Sequence, residues 1–169
     1  MRALIEKFRG DNAALPAKAS NQAILLAWLG GVIAIAVIAG LFERTAWPLV
    51  LGSFGASCVL VFGFPDVPFS QPRNVVVGHF LSSLSGLVFL SLLGPHWWSV
   101  ALAVGTAIAL MMATRTVHPP AGSNPVIIYL LQPGWGFLLM PTLLGAILLV
   151  LVTLIYNNAT RAARYPKYW

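Results

Sequence analysis

Two stretches without a charged side chain decide what this chain can fold into: residues 74–114, between Arg73 and Arg115, and residues 116–160, between Arg115 and Arg161. A soluble domain cannot hide runs of that length. A bilayer core of about 30 Å, by contrast, is crossed by about 20 apolar residues rising about 1.5 Å each. The whole chain agrees, with 59% hydrophobic and 8% charged residues where soluble domains carry roughly 25% charged. Disorder, a coiled coil and an ordinary soluble enzyme are excluded, and the chain is expected to be no enzyme at all.

The charges gather at the ends, with Arg2, Glu6, Lys7, Arg9, Asp11 and Lys18 before the apolar part and Arg161, Arg164 and Lys167 after it. A net charge of +6 placed this way suits an anionic membrane surface. No basic stripe interleaved with aromatics is present, so no nucleic-acid partner is expected. The N-terminus has neither a signal-peptide nor a transit-peptide pattern, because acids interrupt it early. Leu4, Ile5 and Phe8 beside Lys7 and Arg9 suit a short interfacial helix or, equally, a solvated tail. One cysteine, Cys58, excludes a disulfide framework.

Cutting the apolar part at its charges and prolines gives segments 19–42, 47–64, 75–93, 97–114, 119–131 and 135–156. The breaks are Pro65–Asn74, Gly94-Pro95-His96 and Gln132-Pro133-Gly134. Segment 119–131 is too short to cross at about 1.5 Å per residue, so it reads as a half-helix beside protein or a cavity. The expected fold is an all-α polytopic membrane bundle of about six segments, some short or broken. It divides into a basic N-terminal tail or interfacial helix (1–18), a transmembrane domain (19–156) and a basic C-terminal tail (157–169). Six crossings place both termini on one side with Arg73 and Arg115, and positive-inside bias makes that side cytoplasmic. Four crossings with two re-entrant segments place them identically.

Sliding the chain over itself by 67 positions pairs Gly55 with Gly122, Ala56 with Ser123, Val59 with Val126 and Gly78 with Gly145. The match fits an inverted repeat of the kind that builds transporters, and fits equally the ease with which apolar segments align. Gly78, Ser82 and Gly86, and then Ala101, Gly105, Ala109 and Ala113, recur every four residues and are expected to let helices pack closely.

The richest stretch is Arg115 to Pro125, which contains His118-Pro119-Pro120 and then Gly122, Ser123 and Asn124. Two prolines suit a first helical turn, whose free N–H groups and positive dipole end can hold an anion. Gly55, Ala56 and Ser57 form a second Gly/Ser-rich break that is expected to face the first. The alternative for both is close helix packing without a ligand. Arg73 and Arg115 attract an anion or else serve as positive-inside anchors, Arg73 then paired with Asp66. His79 and His118 are candidate polar pore or proton-coupling residues, or packing groups. His79, His96 and His118 match no local metal-ligand spacing, so neither metal nor cofactor is expected. With every acid near or beyond a span end, no Ser–His–acid set is available.

The stretches QPRNVVVGH (71–79), HPPAGSNP (118–125) and PGWGF (133–137) resemble the signature of the HPP family of integral membrane proteins, over about residues 23–158. The resemblance implies a compact bacterial or plastid membrane protein, and members in cyanobacteria and chloroplasts are associated with nitrite transport. The expectation is therefore a channel or transporter for nitrite or a similar small monovalent anion, in the bacterial inner membrane and as a homo-oligomer. His118, Gly122, Ser123 and Asn124 are expected to line one half of the site, Gly55, Ala56 and Ser57 the other, with His79 in the pore. The competing expectation is a membrane scaffold or partner subunit without transport.

Overall fold

The computed structural model describes residues 7–8, 13–43 and 51–169, all helical or irregular. The proposed N-terminal interfacial helix and the start of segment 47–64 lie outside the described residues. Among the described residues six α-helices follow in order: α1 (Asn21–Glu43), α2 (Gly52–Gly63), α3 (Pro72–Leu93), α4 (Trp97–Ala113), α5 (Asn124–Leu131) and α6 (Leu144–Thr160). Short 3-10 turns cover Pro68–Ser70, Pro119–Ser123 and Trp135–Leu138.

Among the described residues, three helical stretches are long and apolar enough to cross a membrane: Asn21–Leu41, Pro72–Leu93 and Trp135–Thr160. At about 1.5 Å per residue, α2 is only about 18 Å long and α5 about 12 Å. Gly52 begins α2, so Gly52–Ser57 open a helix and do not interrupt a longer one. The expected span over 135–156 is present within Trp135–Thr160, but it is not one unbroken helix. Its helix is broken at Met140, whose backbone is extended (φ −131, ψ 121), directly before Pro141. Pro141 cannot donate a backbone hydrogen bond, which makes it the natural place for that break.

The breaks foreseen at Gly94 and Gln132 are present, and each residue is left-handed (φ 75 and 46) at the end of its helix. Glycine takes that conformation without strain.

α3 is the centre of the bundle and packs against α4, α5, α6 and the Pro119–Ser123 turn. Its small-residue stripe has the expected use. A Cβ on Gly78 would lie 2.8 Å from the His118 Cβ, and one on Gly86 would lie 2.9 Å from the Pro125 Cα. The stripe on α4 does not. Ala101, Gly105, Ala109 and Ala113 all point outward, and α4 packs inward through Ser99, Ala103, Ala107 and Met111.

The C-terminal residues are no loose tail. Tyr165 is buried and its hydroxyl donates to the Ser70 carbonyl at 2.6 Å. The Lys167 N–H donates to Gln71 Oε1 at 2.7 Å. Asp66 pairs with Arg161 and with Lys167 (3.1 Å), so its expected pairing with Arg73 is not formed. Burial pulls the Asp66 carboxyl up, but hydrogen bonds from Lys167 and Arg161 and their charges pull it further down, leaving it below its usual value.

Two outcomes follow from this packing. Gly78→Ala drives a methyl into His118 and is expected to destabilise the protein by about 1–3 kcal/mol, read as a lowered Tm in detergent. A carboxyl with a depressed folded pKa contributes stability above the unfolded value and loses it as pH falls through the folded one. The Tyr165 ring signals, followed by NMR in nanodiscs, are therefore expected to shift as pH drops below the ordinary carboxylate range. Asp66→Asn should reproduce that shift at neutral pH, and an unchanged spectrum in both would refute the coupling.

Candidate functional site

The loop between α4 and α5 has no regular helix from Arg115 to His118, and from the exposed Arg115 it turns in against the first turns of α3 until His118 is fully buried. Backbone groups there have no water to bond, so side chains must satisfy them. α3 supplies these partners. Asn74 Nδ2 donates to the Val117 carbonyl at 3.0 Å and Ser82 Oγ to the Ala121 carbonyl at 2.6 Å. Gly78 between them lets the loop come close enough for both.

Held this way, His118 meets Ser57 from α2 and His79 from α3. Ser57 Oγ lies 2.7 Å from His118 Nε2 and 3.0 Å from His79 Nε2. The two imidazole centroids are 5.0 Å apart. The other nitrogen of His118, Nδ1, sits 2.7 Å from the Phe69 carbonyl. The other nitrogen of His79 faces Asn124 Nδ2 at 3.1 Å. The same amide nitrogen lies 3.3 Å from the His79 carbonyl and 2.9 Å from Ser83 Oγ, which in turn is 2.9 Å from Thr142 Oγ1 at the α6 break.

Ser57, His79, Ser83, His118, Asn124 and Thr142 are each 0% exposed. Two more polar atoms in this region, Ser53 Oγ and Asn124 Oδ1, are buried and without a hydrogen-bond partner. Phe54 packs edge-on against His79 (5.1 Å) and fits against Gly145, whose absent Cβ would lie 2.4 Å from that ring.

Of the residues expected to form the site, the structure brings together Ser57, His79, His118 and Asn124. Gly55, Ala56 and Ser123 face outward, and Gly122 is half-buried. The Ser123 hydroxyl is used locally by the Pro120 carbonyl at 2.8 Å. Arg73 and Arg115 are both exposed near the Phe69 end of the bundle. Arg73 donates to the Thr114 carbonyl at 3.0 Å, closing the end of α4.

His96 lies apart at the start of α4, stacked on Trp98. Among the described residues no group of three potential metal ligands comes together.

Ser83, Thr142, Ser53 and the Phe69 carbonyl belong to the cluster and were not foreseen. Thr142 had a signal in Pro141 beside it. Ser83 had only the polarity of Ser82-Ser83 within an apolar run.

An all-helical chain with three membrane-length helices and a sealed polar cluster among broken ones defines a polytopic membrane protein. The model of the HPP transmembrane region matches residues 16–166, and the chain belongs to the HPP family. It is 37% identical over 154 residues to one transmembrane protein of Dictyostelium discoideum, covering 84% of this chain and 54% of that protein. It is 34% identical to a second transmembrane protein of that organism, covering 97% of this chain and 56% of the relative. The chain thus spans about half the length of the curated relatives it matches. No solved structure matches it.

Removing one member of a buried hydrogen-bonded cluster leaves its partners unsatisfied, at about 1–3 kcal/mol. Ser57→Ala and His118→Ala are each expected to lower stability by about that much. The double variant should lose less than the sum, and a strictly additive thermal-melt cycle would mean that the contact carries no energy.

Proposed function

We propose that this protein is a transporter of a small monovalent anion, nitrite or one of similar size, and not an enzyme. The observation that carries the reading is the charge-free polar cluster of Ser57, His79, His118 and Asn124, buried where two short helical segments meet. In a membrane bundle, buried polar groups are costly and are found chiefly at functional pathways. Hydroxyl, amide and imidazole groups can replace the water around a compact monoanion without burying a fixed counter-charge. A Ser–His pair alone does not make a hydrolase. Ser57 is enclosed between two imidazoles, and no carboxylate touches either ring among the described hydrogen bonds.

An inverted repeat of six segments supports the same reading. At the offset of 67, α2 and the Pro119–Ser123 turn begin in register, and α3 and α6 end in register. Two glycine contacts cross between the halves in corresponding places. Gly78 of the first half receives His118 of the second, and its counterpart Gly145 receives Phe54 of the first. Ser57 and Asn124, equivalent at the same offset, take opposite nitrogens of His79. Paired broken segments around a midplane site are the architecture of many secondary transporters.

Arg73, Arg115, Arg161 and Lys167 gather at one end, which by positive-inside bias is the cytoplasmic face with both termini. There Arg73 and Arg115 draw the anion in, and the membrane is the bacterial inner membrane. In the described conformation the Ser57–His118 contact closes the path.

A second reading, a non-transporting scaffold, is favoured by the outward small-residue face of α4. That face suits contact with another helix, a second copy of this chain first of all.

Anion uptake by proteoliposomes, comparing nitrite with nitrate, formate and chloride, separates the two. Saturable nitrite flux is expected. His118→Ala should reduce it about ten- to hundredfold, the loss of one hydrogen bond to a charged ligand, and Arg73→Ala should raise the half-saturating concentration. Folded, correctly inserted protein with no flux for any anion would sink the transporter and leave the scaffold.

A further inference from the structure

The hydrogen bonds of the buried cluster have a direction, which follows from what each atom can do. A carbonyl oxygen only accepts, so the Phe69 carbonyl at 2.7 Å requires a proton on His118 Nδ1. In a neutral ring His118 Nε2 is then an acceptor, and the Ser57 hydroxyl at 2.7 Å donates to it.

At the far end the His79 carbonyl, at 3.3 Å, identifies the facing atom of Asn124 as its amide nitrogen. That nitrogen donates to His79 Nδ1 at 3.1 Å, so a neutral His79 carries its proton on Nε2 and donates to Ser57 at 3.0 Å. The chain therefore runs one way, from Asn124 through His79, Ser57 and His118 to Phe69, with the two histidines as opposite tautomers. The Ser53 carbonyl, 2.9 Å from the same hydroxyl, stands by as its alternative acceptor.

We infer that His79, Ser57 and His118 form a proton path leading inward from the Phe69 end of the bundle, and that the protein moves a proton together with its anion.

The step balances. A proton binds His79 Nδ1 when the Asn124 amide turns, presenting to that nitrogen the Oδ1 that otherwise has no partner. The His79 Nε2 proton passes to Ser57 Oγ as the Ser57 proton passes to His118 Nε2, and the His118 Nδ1 proton leaves beside Phe69. The step leaves each ring in the other tautomer, and from that state the reverse sequence carries a proton inward and restores the starting bonds. No oxidant, metal or other co-reactant is needed.

The path covers about the first third of the bundle. Along α3, His79 lies about 10 Å and Ser83 about 16 Å beyond Pro72, in a helix about 33 Å long. At the offset of 67 the positions matching His79 and His118 are Ala146 and Leu51, so the second half of the repeat has no equivalent relay.

The packed elements contribute neutral groups: Phe54 and Ser57 from α2 and Asn124 from α5 meet the rings, while Ser53, Ser83 and Thr142 bond to those partners or to one another. Among the described residues no Asp, Glu, Lys or Arg bonds to either imidazole. Asp66 is occupied by Arg161 and Lys167, and Arg73 by Thr114. Cys58 turns away into an apolar groove against α1.

The inference takes its purpose from the transport reading, and one experiment tells the two apart. Full-length protein in vesicles carrying an internal pH dye is given nitrite, and separately a potassium diffusion potential without nitrite, with the leak of protein-free vesicles subtracted. Proton uptake accompanying nitrite is expected in the wild type and in Ser57→Thr, which keeps the hydroxyl. In Ser57→Ala it should fall by about a hundredfold, the usual contribution of a positioned proton donor.

Nitrite flux without proton uptake would overturn the relay and leave the anion reading standing. Protons driven by the potential through wild type but not Ser57→Ala, with no anion flux, would uphold the path and overturn anion transport. Neither flux would overturn both. A second measurement does not depend on any variant of the cluster. ¹⁵N spectra of histidine-labelled protein carrying His96→Ala should show one ring protonated on Nδ1 and the other on Nε2, and two rings with the same tautomer would overturn the relay.

Discussion

Everything in this bundle depends on one constraint: a backbone that leaves its helix inside a membrane must find hydrogen-bond partners in the protein. Residues 115–123 leave theirs, and α3 answers with Asn74 and Ser82 on the loop carbonyls and with Gly78 and Gly86 where the chain comes too close for a side chain. The polar face of α3 is thus explained before any function is considered. The cluster around Ser57 goes further. His79, Ser83 and Thr142 are not needed to satisfy that loop, and a core of leucine would have sealed the same space without buried polar atoms. Groups kept at such a position against their solvation cost point to something that passes or binds there.

The two halves of the chain use the same device in exchange. Each sends a short segment to the middle, and each receives the other's segment on a glycine of its long helix, Gly78 for His118 and Gly145 for Phe54. The site is asymmetric all the same, because both imidazoles lie toward one end. The docked C-terminal residues lie at that same end. Tyr165 holds Ser70, next in sequence to the Phe69 carbonyl that orients His118, so the outer surface and the buried cluster share one loop.

Much of this was legible beforehand. Charge spacing gave the membrane bundle, proline and glycine gave the breaks at 94–96 and 132–134 and the one from 65, which ends at Gln71 because α3 already starts at Pro72 and not after Asn74, and His118, Ser57, His79 and Asn124 were all singled out from local pattern. Missed were the interruption at Met140-Pro141, hidden within an otherwise apolar run, and with it Thr142. Outside the cluster lie Gly55, Ala56 and Ser123. They share the small, polar character of the site residues but lie on the other side of their turns, and which side faces inward depends on helix rotation, to which composition is blind. The outward turn of the α4 stripe has the same cause.

By itself the sequence determined the solvent. Long uncharged runs cannot be reconciled with water, and prolines cannot donate the hydrogen bonds a helix needs, so a broken helical membrane bundle follows from covalent chemistry alone. Only the tertiary structure decided that positions 57, 79, 118 and 124 share one set of hydrogen bonds. Contacts across twenty-two to sixty-one residues are made by packing, and the direction of those bonds rests on single acceptors, the carbonyls of Phe69 and His79. Every residue has such a carbonyl, and only the fold puts these two beside an imidazole and an amide.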